Sequence, residues 1–292
     1  MSIKASIYHL TQYCYDRAVF ISPQIIRLHP APHSHTKVLS YNLEVTPKPY
    51  FVNHQQDLYG NWLSRHVFRE SLRELKIEVN LVVDLAVYNP FDFIVEADVI
   101  DWPFNYPKEF KEDLQIYLRK EPKGSLLSEW LESINYEQRN TVNFIVEINK
   151  RIFQELRYVI RREPGVQTPD ETLASGRGSC RDSSWLLVQI FRELGLAARF
   201  VSGYLIQFKP DTGAVDSPSG SNQELNELHA WCEVYLPGAG WIGLDPTSGL
   251  LARENHIPLA ATPHYRNSAP ITGTLDFAHV DFSYDIQVKQ IE

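Results

Sequence analysis

The stretch SGRGSCRDSSWLLVQIFRELGL, residues 175–196, is the most informative part of the chain. Gly176 and Gly178 allow the backbone to turn sharply just before Cys180. Apolar residues then recur at helical spacing, and Gly195 stands where a C-terminal cap is expected. The residues of this apolar stripe are Leu187, Ile190, Phe191 and Leu194. The pattern predicts a helix that begins at Cys180 and buries one face.

A cysteine at the first position of a helix has an unusual electrostatic environment. Unpaired backbone N–H groups and the positive end of the helix dipole favour the thiolate form of such a side chain. The alternative is that Cys180 is a small buried hydrophobic residue, which is the more common role of a lone cysteine. The glycines before it and the helix start leave the two interpretations evenly balanced.

A second stretch, ELHAWCEVYLPGAGWIGLDPTSG at residues 227–249, predicts a β-hairpin with alternating side chains on both strands. His229 and Asp245 then lie near the open end of the hairpin. They share a face if the loop around residues 237–240 holds three or five residues, or if a bulge intervenes. A plain four-residue loop would place them on opposite faces.

These residues together form a candidate nucleophile set. A neutral imidazole on His229 can accept the thiol proton of Cys180 and later return it to a leaving amine. Asp245 would fix the tautomer of that imidazole through the other ring nitrogen. A lone histidine at a strand start, or a lone aspartate before a proline, is often structural. The order Cys, His, Asp on a helix start and neighbouring strands predicts one catalytic site.

The residues before this region alternate with a period of two, which is typical of half-buried strands. The clearest example is 75–85, whose apolar face holds Leu75, Ile77, Val79, Leu81, Val83 and Leu85. A second strand is predicted at 39–45, with Leu39, Tyr41, Leu43 and Val45 on one face. DLYGN at 57–61 has the residue types of a tight turn. We therefore predict a small antiparallel β-sandwich domain at residues 1–100.

From about Trp102 the apolar period changes towards 3.6. Helices are predicted at 107–120, 125–134 and 138–159, with Glu163-Pro164-Gly165 ending the last. Strands are predicted at 198–206, 229–236, 241–245 and 280–288, and a solvated loop at 209–226. The fold class is thus α+β, with a second domain at residues 101–292 in which the helix bearing Cys180 packs on an antiparallel sheet.

Composition narrows the class of protein. A chain of 292 residues with 43% hydrophobic and 22% charged residues fits two folded domains. Its net charge of -8 argues against nucleic acid and anionic membranes as partners. Three cysteines leave at least one thiol unpaired, and no stretch looks like a signal peptide or a membrane span. We predict a cytoplasmic protein.

Four motifs resemble the bacterial transglutaminase-like superfamily, whose core is papain-related and whose members include proposed cysteine proteases. These motifs are G-x-C at 178–180, RFVSGY at 199–204, HAW at 229–231 and DPT at 245–247. YHLTQYCYDRAV at 8–19 and DLYGN are similar to the β domain that often precedes this core in bacteria. The resemblance carries the family's triad roles to Cys180, His229 and Asp245.

Such a triad attacks an amide bond and forms a thioester on the enzyme. Water as acceptor makes the protein a cysteine protease or amidase, and an amine makes it a transglutaminase. The expected substrate is a peptide or protein amide, either a peptide bond or a glutamine side chain. We expect no cofactor and no metal.

The sequence also departs from the animal transglutaminases, which carry a tryptophan directly after the nucleophile. Here Arg181 and Asp182 follow Cys180, and no acidic loop suits calcium activation. The resemblance therefore does not extend to calcium-dependent cross-linking. Asp182 is predicted to stabilise its helix through the dipole rather than to take part in chemistry.

Two rival interpretations compete with a catalytic triad. A metal site could use Cys180, His229 and Cys232, but the last two stand three apart on a strand and point to opposite faces. A second group, His29, His33 and His35, has proline-broken spacing without fixed geometry, and Cys14 and Cys232 are expected to pack. The other rival is a non-catalytic protein-interaction scaffold with the same fold. Such a scaffold would be expected to lose one of the three triad groups.

Overall fold

A computed structural model describes residues 2–161, 163–207 and 227–291. The loop predicted at 209–226 lies outside these residues. The strands are β1 (Ser2–Val19), β2 (Gln24–Ile26), β3 (Lys37–Thr46), β4 (Phe51–Gln56), β5 (Trp62–Val67), β6 (Leu72–Ala86), β7 (Asp101–Trp102), β8 (Arg139–Asn140), β9 (Arg157–Tyr158), β10 (Arg177–Gly178), β11 (Ala198–Leu205), β12 (Glu227–Leu236), β13 (Gly240–Asp245), β14 (Leu250–Leu251), β15 (His256–Thr262), β16 (Ile271–Thr272) and β17 (Val280–Ile291). The α-helices are α1 (Lys108–Asp113), α2 (Gln115–Leu118), α3 (Ser125–Glu132), α4 (Thr141–Glu155), α5 (Pro169–Ser175) and α6 (Cys180–Glu193).

The N-terminal region is built from two antiparallel four-stranded sheets, with the orders β17-β1-β6-β3 and β16-β2-β5-β4. Side chains from both sheets enter one apolar core, for example Ile7 from β1 and Ile26 from β2. All six apolar residues of the strand predicted at 75–85 are at most 1% exposed. The predicted β-sandwich is confirmed, and its central strand β6 provides much of the core.

The strand predicted at 39–45 is present as β3, but its alternation is interrupted. The pairing of β3 with β6 shifts register between Val38 and Ser40, which leaves Leu39 without a partner residue. Leu39 is consequently 43% exposed, whereas Val38 packs against the core. The prediction that Leu39 belongs to the buried face was wrong because a β-bulge reverses the direction of side chains along a strand.

The end of the chain returns to the N-terminal sandwich. β17 pairs with β1 from Lys4↔Ile291 to Tyr15↔Val280, and β16 pairs with β2. The strand predicted at 280–288, which the sequence places in the second domain at 101–292, pairs along its whole length with β1 of the N-terminal sandwich. Alternation shows that a strand exists, but it does not reveal which sheet edge accepts it.

The helical segment is more broken than its apolar period suggested. The helix predicted at 107–120 is split into α1 and α2, and the one predicted at 138–159 is the shorter α4. Asn140 caps α4 by accepting a hydrogen bond from the N–H of Asn143. The helix ends at Glu155, well before Glu163-Pro164-Gly165, because β9 pairs in parallel with β10 directly afterwards.

The core sheet has the order β14-β13-β12-β11-β15 and is antiparallel throughout. Helix α6 begins at Cys180, as predicted, and packs its apolar residues with those of β11 and β12 in one core. Gly195 follows the helix with a φ of 80°, the left-handed conformation expected of its cap. The α+β class and the packing of the cysteine-bearing helix on an antiparallel sheet are confirmed.

None of the helices in the described ranges is both long enough and apolar enough to pass through a membrane.

Candidate active site

The start of α6 is fixed by a buried carboxylate. Asp182, which is fully buried, accepts hydrogen bonds from the N–H of Ser179 at 2.9 Å, the Ser179 hydroxyl at 2.7 Å and the N–H of Gln167 at 2.8 Å. The guanidinium of Arg161 lies 2.9 Å from the same carboxylate, as a charge contact and not as an aligned hydrogen bond. Asp182 therefore holds the backbone around Cys180, in agreement with its predicted structural role.

The β12–β13 hairpin places His229 and Asp245 on one face. Leu236 pairs with Gly240, so three residues form the loop, and Cys232 pairs with Leu244. The numbers of opposing residues therefore add to an even sum, and all odd-numbered side chains of the two strands share a face. This is the arrangement that the sequence required for the two side chains to meet.

His229 and Asp245 are buried and in contact. Their exposed fractions are 4% and 1%, and Nε2 of His229 lies 3.2 Å from Oδ2 of Asp245. The other oxygen, Oδ1, accepts hydrogen bonds from the N–H of Thr247 at 2.9 Å and from its hydroxyl at 2.7 Å. The carboxylate thus faces the imidazole edge and is held from the opposite side by the first residues after β13.

The thiol of Cys180 contacts the same imidazole. Nε2 of His229 faces Asp245 and Nδ1 has no hydrogen-bond partner, so Nδ1 is the nitrogen left for the thiol. The thiol is nevertheless close enough to raise the pKa of His229, in addition to the larger effect of Asp245. Catalytic hydrogen bonds are often loose before substrate binds.

The electrostatics of the site favour a protonated His229 beside an ionised Asp245. Burial alone would lower the pKa of His229, but the charge of Asp245 and its hydrogen bond outweigh burial, so the pKa lies well above its usual value. Burial likewise opposes the charge of Asp245. His229 and His256 nevertheless hold its pKa well below the usual range. The site can therefore store a proton on the imidazole beside an ionised carboxylate.

Two further side chains join the elements that carry this site. The hydroxyl of Ser184, one turn after Cys180, donates to the carbonyl of Ala230 at 2.9 Å. That bond ties the start of α6 to the residue next to His229. From α4, the amide of Asn149 donates to the carbonyls of Asp245 at 3.3 Å and Leu250 at 3.1 Å. Hydrogen bonds from α6 and α4 thus fix the open end of the hairpin.

The sequence analysis missed His256, which lies at the start of β15. Its Nε2 lies 3.2 Å from Oδ2 of Asp245, the oxygen that already contacts His229. The segment HIPLAAT gives little alternation because β15 is buried on nearly every residue. His256 could not be assigned to the site from its spacing, since it reaches Asp245 from a strand beyond β12 and β11.

Tyr158, on β9, is another neighbour of the site that was not predicted. Its hydroxyl donates to Glu227 at 3.0 Å. Its pKa is raised chiefly by burial, with further contributions from the charges of Cys180 and Glu227. A phenol and a carboxylate therefore lie in the surroundings of the nucleophile.

His229, Asp245 and His256 could in principle hold a metal ion, since their ligand atoms lie within 4.8 Å of one another. The hydrogen bond at the other ring nitrogen of His256, Nδ1, argues against metal coordination. The backbone N–H of Arg253 donates to Nδ1 of His256 at 3.2 Å, so Nδ1 must present a lone pair and the proton resides on Nε2. A metal ligand would need the reverse tautomer. The donors therefore fit hydrogen bonding to the carboxylate better than metal coordination.

The other metal interpretations also fail. Cys232 is buried in the core between α6 and the sheet, on the face opposite to His229. His29, His33 and His35, whose spacing offered no fixed ligand geometry, are not among the groups of the described residues that could hold an ion. Cys232 is a packing residue, as expected.

Comparison with known proteins agrees with this architecture. Residues 5–84 match the bacterial transglutaminase-like N-terminal region, and residues 129–246 match the transglutaminase-like superfamily. The chain belongs to the transglutaminase-like superfamily. Its transglutaminase-like core contains α4, α6 and the strands of the hairpin, and therefore all three residues of the predicted triad.

Relatives of this transglutaminase-like chain include an uncharacterized protein of Mycobacterium tuberculosis, 25% identical over 95% of the chain and 90% of that protein. A protein-glutamine gamma-glutamyltransferase of Pseudomonas aeruginosa is 25% identical over 48% of the chain and 20% of that protein. The crystal structure of a proposed cysteine protease from Cytophaga hutchinsonii superposes with a TM-score of 0.66 at 18% identity, covering 100% of this chain and 92% of the other. This last similarity establishes a shared fold.

Proposed function

We propose that this transglutaminase-like protein is an enzyme that opens amide bonds through a thioester on Cys180. One observation carries the proposal. A buried imidazole, that of His229, contacts Asp245 through one ring nitrogen and leaves the other for the thiol. Such an imidazole can take a proton from sulfur and deliver it to a departing amine.

In the proposed first half-reaction, the thiol proton moves to Nδ1 of His229 and the sulfur attacks the carbonyl carbon of the amide. The C–N bond then breaks, the imidazolium gives its proton to the leaving amine or ammonia, and the acyl group remains as a thioester. Asp245 stays ionised and stabilises the imidazolium. The backbone N–H of Cys180, at the helix start, is our candidate donor to the oxyanion.

In the second half-reaction an acceptor attacks the thioester and loses a proton to Nδ1, and the sulfur departs to regenerate the thiol. Water as acceptor gives hydrolysis, and a primary amine gives a new amide. The name of the Pseudomonas relative supports an amine acceptor, and that of the Cytophaga protein supports hydrolysis. The proposed substrate is a peptide or protein that offers a peptide bond or a glutamine side chain.

We also propose that the protein acts in the cytoplasm, without nucleic acid or membrane partners. Unpaired thiols at Cys14, Cys180 and Cys232 support a reducing compartment, and the net charge of -8 disfavours anionic partners.

The test is incubation of the protein with a library of glutamine-containing peptides, with and without a primary amine, followed by mass spectrometry. Release of ammonia or cleavage of a peptide bond is expected without amine, or incorporation of the amine when it is present. Cys180→Ala should abolish each product, whereas Cys14→Ala, which changes a distant thiol, should retain it. Products that persist in Cys180→Ala, or no product from the native protein, would reject the proposal.

A further inference from the structure

The carboxylate of Asp245 is bound by two imidazoles and not by one. Nε2 of His229 and Nε2 of His256 each lie 3.2 Å from Oδ2. The two rings are tilted at 59°, with 6.1 Å between their centroids, so they approach the oxygen from different directions. The side chain of His256 is only 7% exposed in this arrangement.

The tautomer of His256 follows from its other contacts. The backbone N–H of Arg253 points at Nδ1 at 3.2 Å, and a backbone N–H can only donate. Nδ1 is therefore an acceptor, and the proton of the neutral ring is on Nε2, where it points at Asp245. The side-chain oxygen of Asn255 also lies 2.9 Å from Nδ1, but the oxygen and nitrogen of an amide can exchange places, and a rotated amide would donate to Nδ1, so that contact does not decide the tautomer.

Each oxygen of the carboxylate then accepts two hydrogen bonds. Oδ1 accepts from the backbone and the hydroxyl of Thr247, and Oδ2 accepts from His229 and His256. Thr247 follows β13 directly, whereas His256 belongs to β15, and β12 and β11 lie between these strands in the core sheet, so the donors come from separate parts of it. A carboxylate held in this way cannot rotate away from His229 without losing hydrogen bonds in a buried site.

The ring of His256 is itself held by its neighbours. Trp231 packs edge-on against it at a centroid distance of 5.3 Å, and the ring of Trp231 lies over Gly203. A Cβ at Gly203 would come within 2.5 Å of that indole, so the strand leaves room for the indole there. The tryptophan therefore limits the orientations open to His256.

We infer that His256 is a positioning residue of the cysteine site, because it donates the second imidazole N–H to Asp245 and so fixes the carboxylate that orients His229. The inference rests on the proposed function. It adds a fourth side chain, from β15, to the three residues that the chain order Cys, His, Asp had indicated.

The experiment measures alkylation of Cys180 by iodoacetamide across the pH range, in the native protein, His256→Gln, His256→Leu and the exposed control His279→Gln. A glutamine amide can donate an N–H at a reach similar to that of Nε2, whereas leucine cannot donate. We expect His256→Leu to slow alkylation near neutral pH by about tenfold or more, His256→Gln to restore it to within about threefold, and His279→Gln to match the native protein. If His256→Leu does not fold, His256→Asn, whose amide is shorter, takes its place.

The outcomes are distinguishable. Fast alkylation in the native protein and an equal rate in folded His256→Leu would overturn the inference and leave the proposed function intact. Equal losses in His256→Gln and His256→Leu would also overturn it, because a packing role would not distinguish a donor from an apolar residue. Slow alkylation of Cys180 in the native protein, at the rate of Cys14, would reject the proposed function and the inference with it.

Discussion

At the scale of single residues, the site depends on which ring nitrogen of His229 faces which group. Asp245 contacts Nε2, and the proton that it attracts to that nitrogen leaves a lone pair on Nδ1 for the thiol. A buried carboxylate without donors would be costly, and Thr247 removes part of that cost by donating twice to Oδ1. We therefore expect the reactivity of Cys180 to depend on Asp245 and Thr247 as well as on His229, which the thiol contacts.

Replacing Asp245 by asparagine tests this dependence. The amide keeps the shape of the side chain but cannot stabilise an imidazolium, and it can hold the wrong tautomer of His229. We expect turnover of a peptide amide to fall by about a hundredfold or more, with a smaller change in KM. Asp281→Asn on the exposed β17 is the matched control and should leave turnover unchanged. Native turnover in Asp245→Asn would show that the carboxylate does not orient the imidazole.

The relative reactivity of the three thiols is a second prediction at this scale. A thiol at a helix start beside an imidazole is expected to react faster than thiols that lack such a partner. Mass spectrometry of the labelled protein near neutral pH should find Cys180 alkylated before Cys14 and Cys232, and His229→Ala should slow only Cys180. Equal slow labelling of all three thiols would favour a non-catalytic scaffold.

At the scale of secondary structure elements, the site is assembled by the ends of one helix and three strands. The bond from Ser184 to the carbonyl of Ala230 links α6 to β12, and Asn149 links α4 to the end of β13. β11 lies between β12 and β15, so side chains of those two strands can meet only by passing over the backbone of β11. Gly203 is the residue of β11 that makes this possible.

Gly203→Ala tests the close packing across β11. A Cβ at this position would lie 2.3 Å from the carbonyl oxygen of Ile257 and 2.5 Å from the Trp231 ring. A backbone carbonyl cannot move aside as a flexible side chain can. We therefore expect the free energy of unfolding, measured by urea denaturation, to fall by about 2 kcal/mol or more. Gly60→Ala is the control, because its left-handed φ of 82° has open space and should cost only about 1 kcal/mol. A smaller loss at Gly203 than at Gly60 would contradict this account.

At the scale of the whole molecule, the sandwich and the core sheet meet through a buried polar contact. The imidazole of His9 on β1 bonds through Nδ1 with the Tyr204 hydroxyl of β11 at 2.8 Å, and through Nε2 with the Thr11 hydroxyl at 2.9 Å. Burial lowers the pKa of His9 to about 4. The neutral ring is therefore part of the native interface.

Stability should depend on pH through this residue. The pKa of His9 is about 4 in the folded state against 6.5 when exposed, so the unfolded chain binds more protons between these values. The contribution is complete above pH 6.5 and is lost as pH falls towards 4, by about 3 kcal/mol of unfolding free energy. Urea denaturation of the native protein and of His9→Gln, which cannot titrate, should give a larger pH dependence for the native protein. Parallel curves for the two proteins would exclude His9 as the cause.

Much of the local structure was readable from the sequence because it depends on periodicity and on neighbours in the chain. The six alternating residues of β6, the start of α6 at Cys180 and its glycine cap were all predicted, since burial of one face and backbone conformation leave direct traces in residue type. The hairpin gave a condition that could be stated in advance. An odd-numbered loop was needed for His229 and Asp245 to share a face, and the structure has three residues there.

Tertiary structure decided what depends on contacts between distant segments. The bulge at Leu39, the early end of α4 and the return of β17 to β1 arise from pairing partners that no local pattern specifies. His256 belongs to the same class, because its strand is buried on both faces and two other strands, β12 and β11, separate it from the strand of its partner Asp245. The sequence by itself predicted the cysteine, the histidine and the aspartate. The second imidazole beside that aspartate depends on the pairing of β15 with β11, which only the tertiary structure shows.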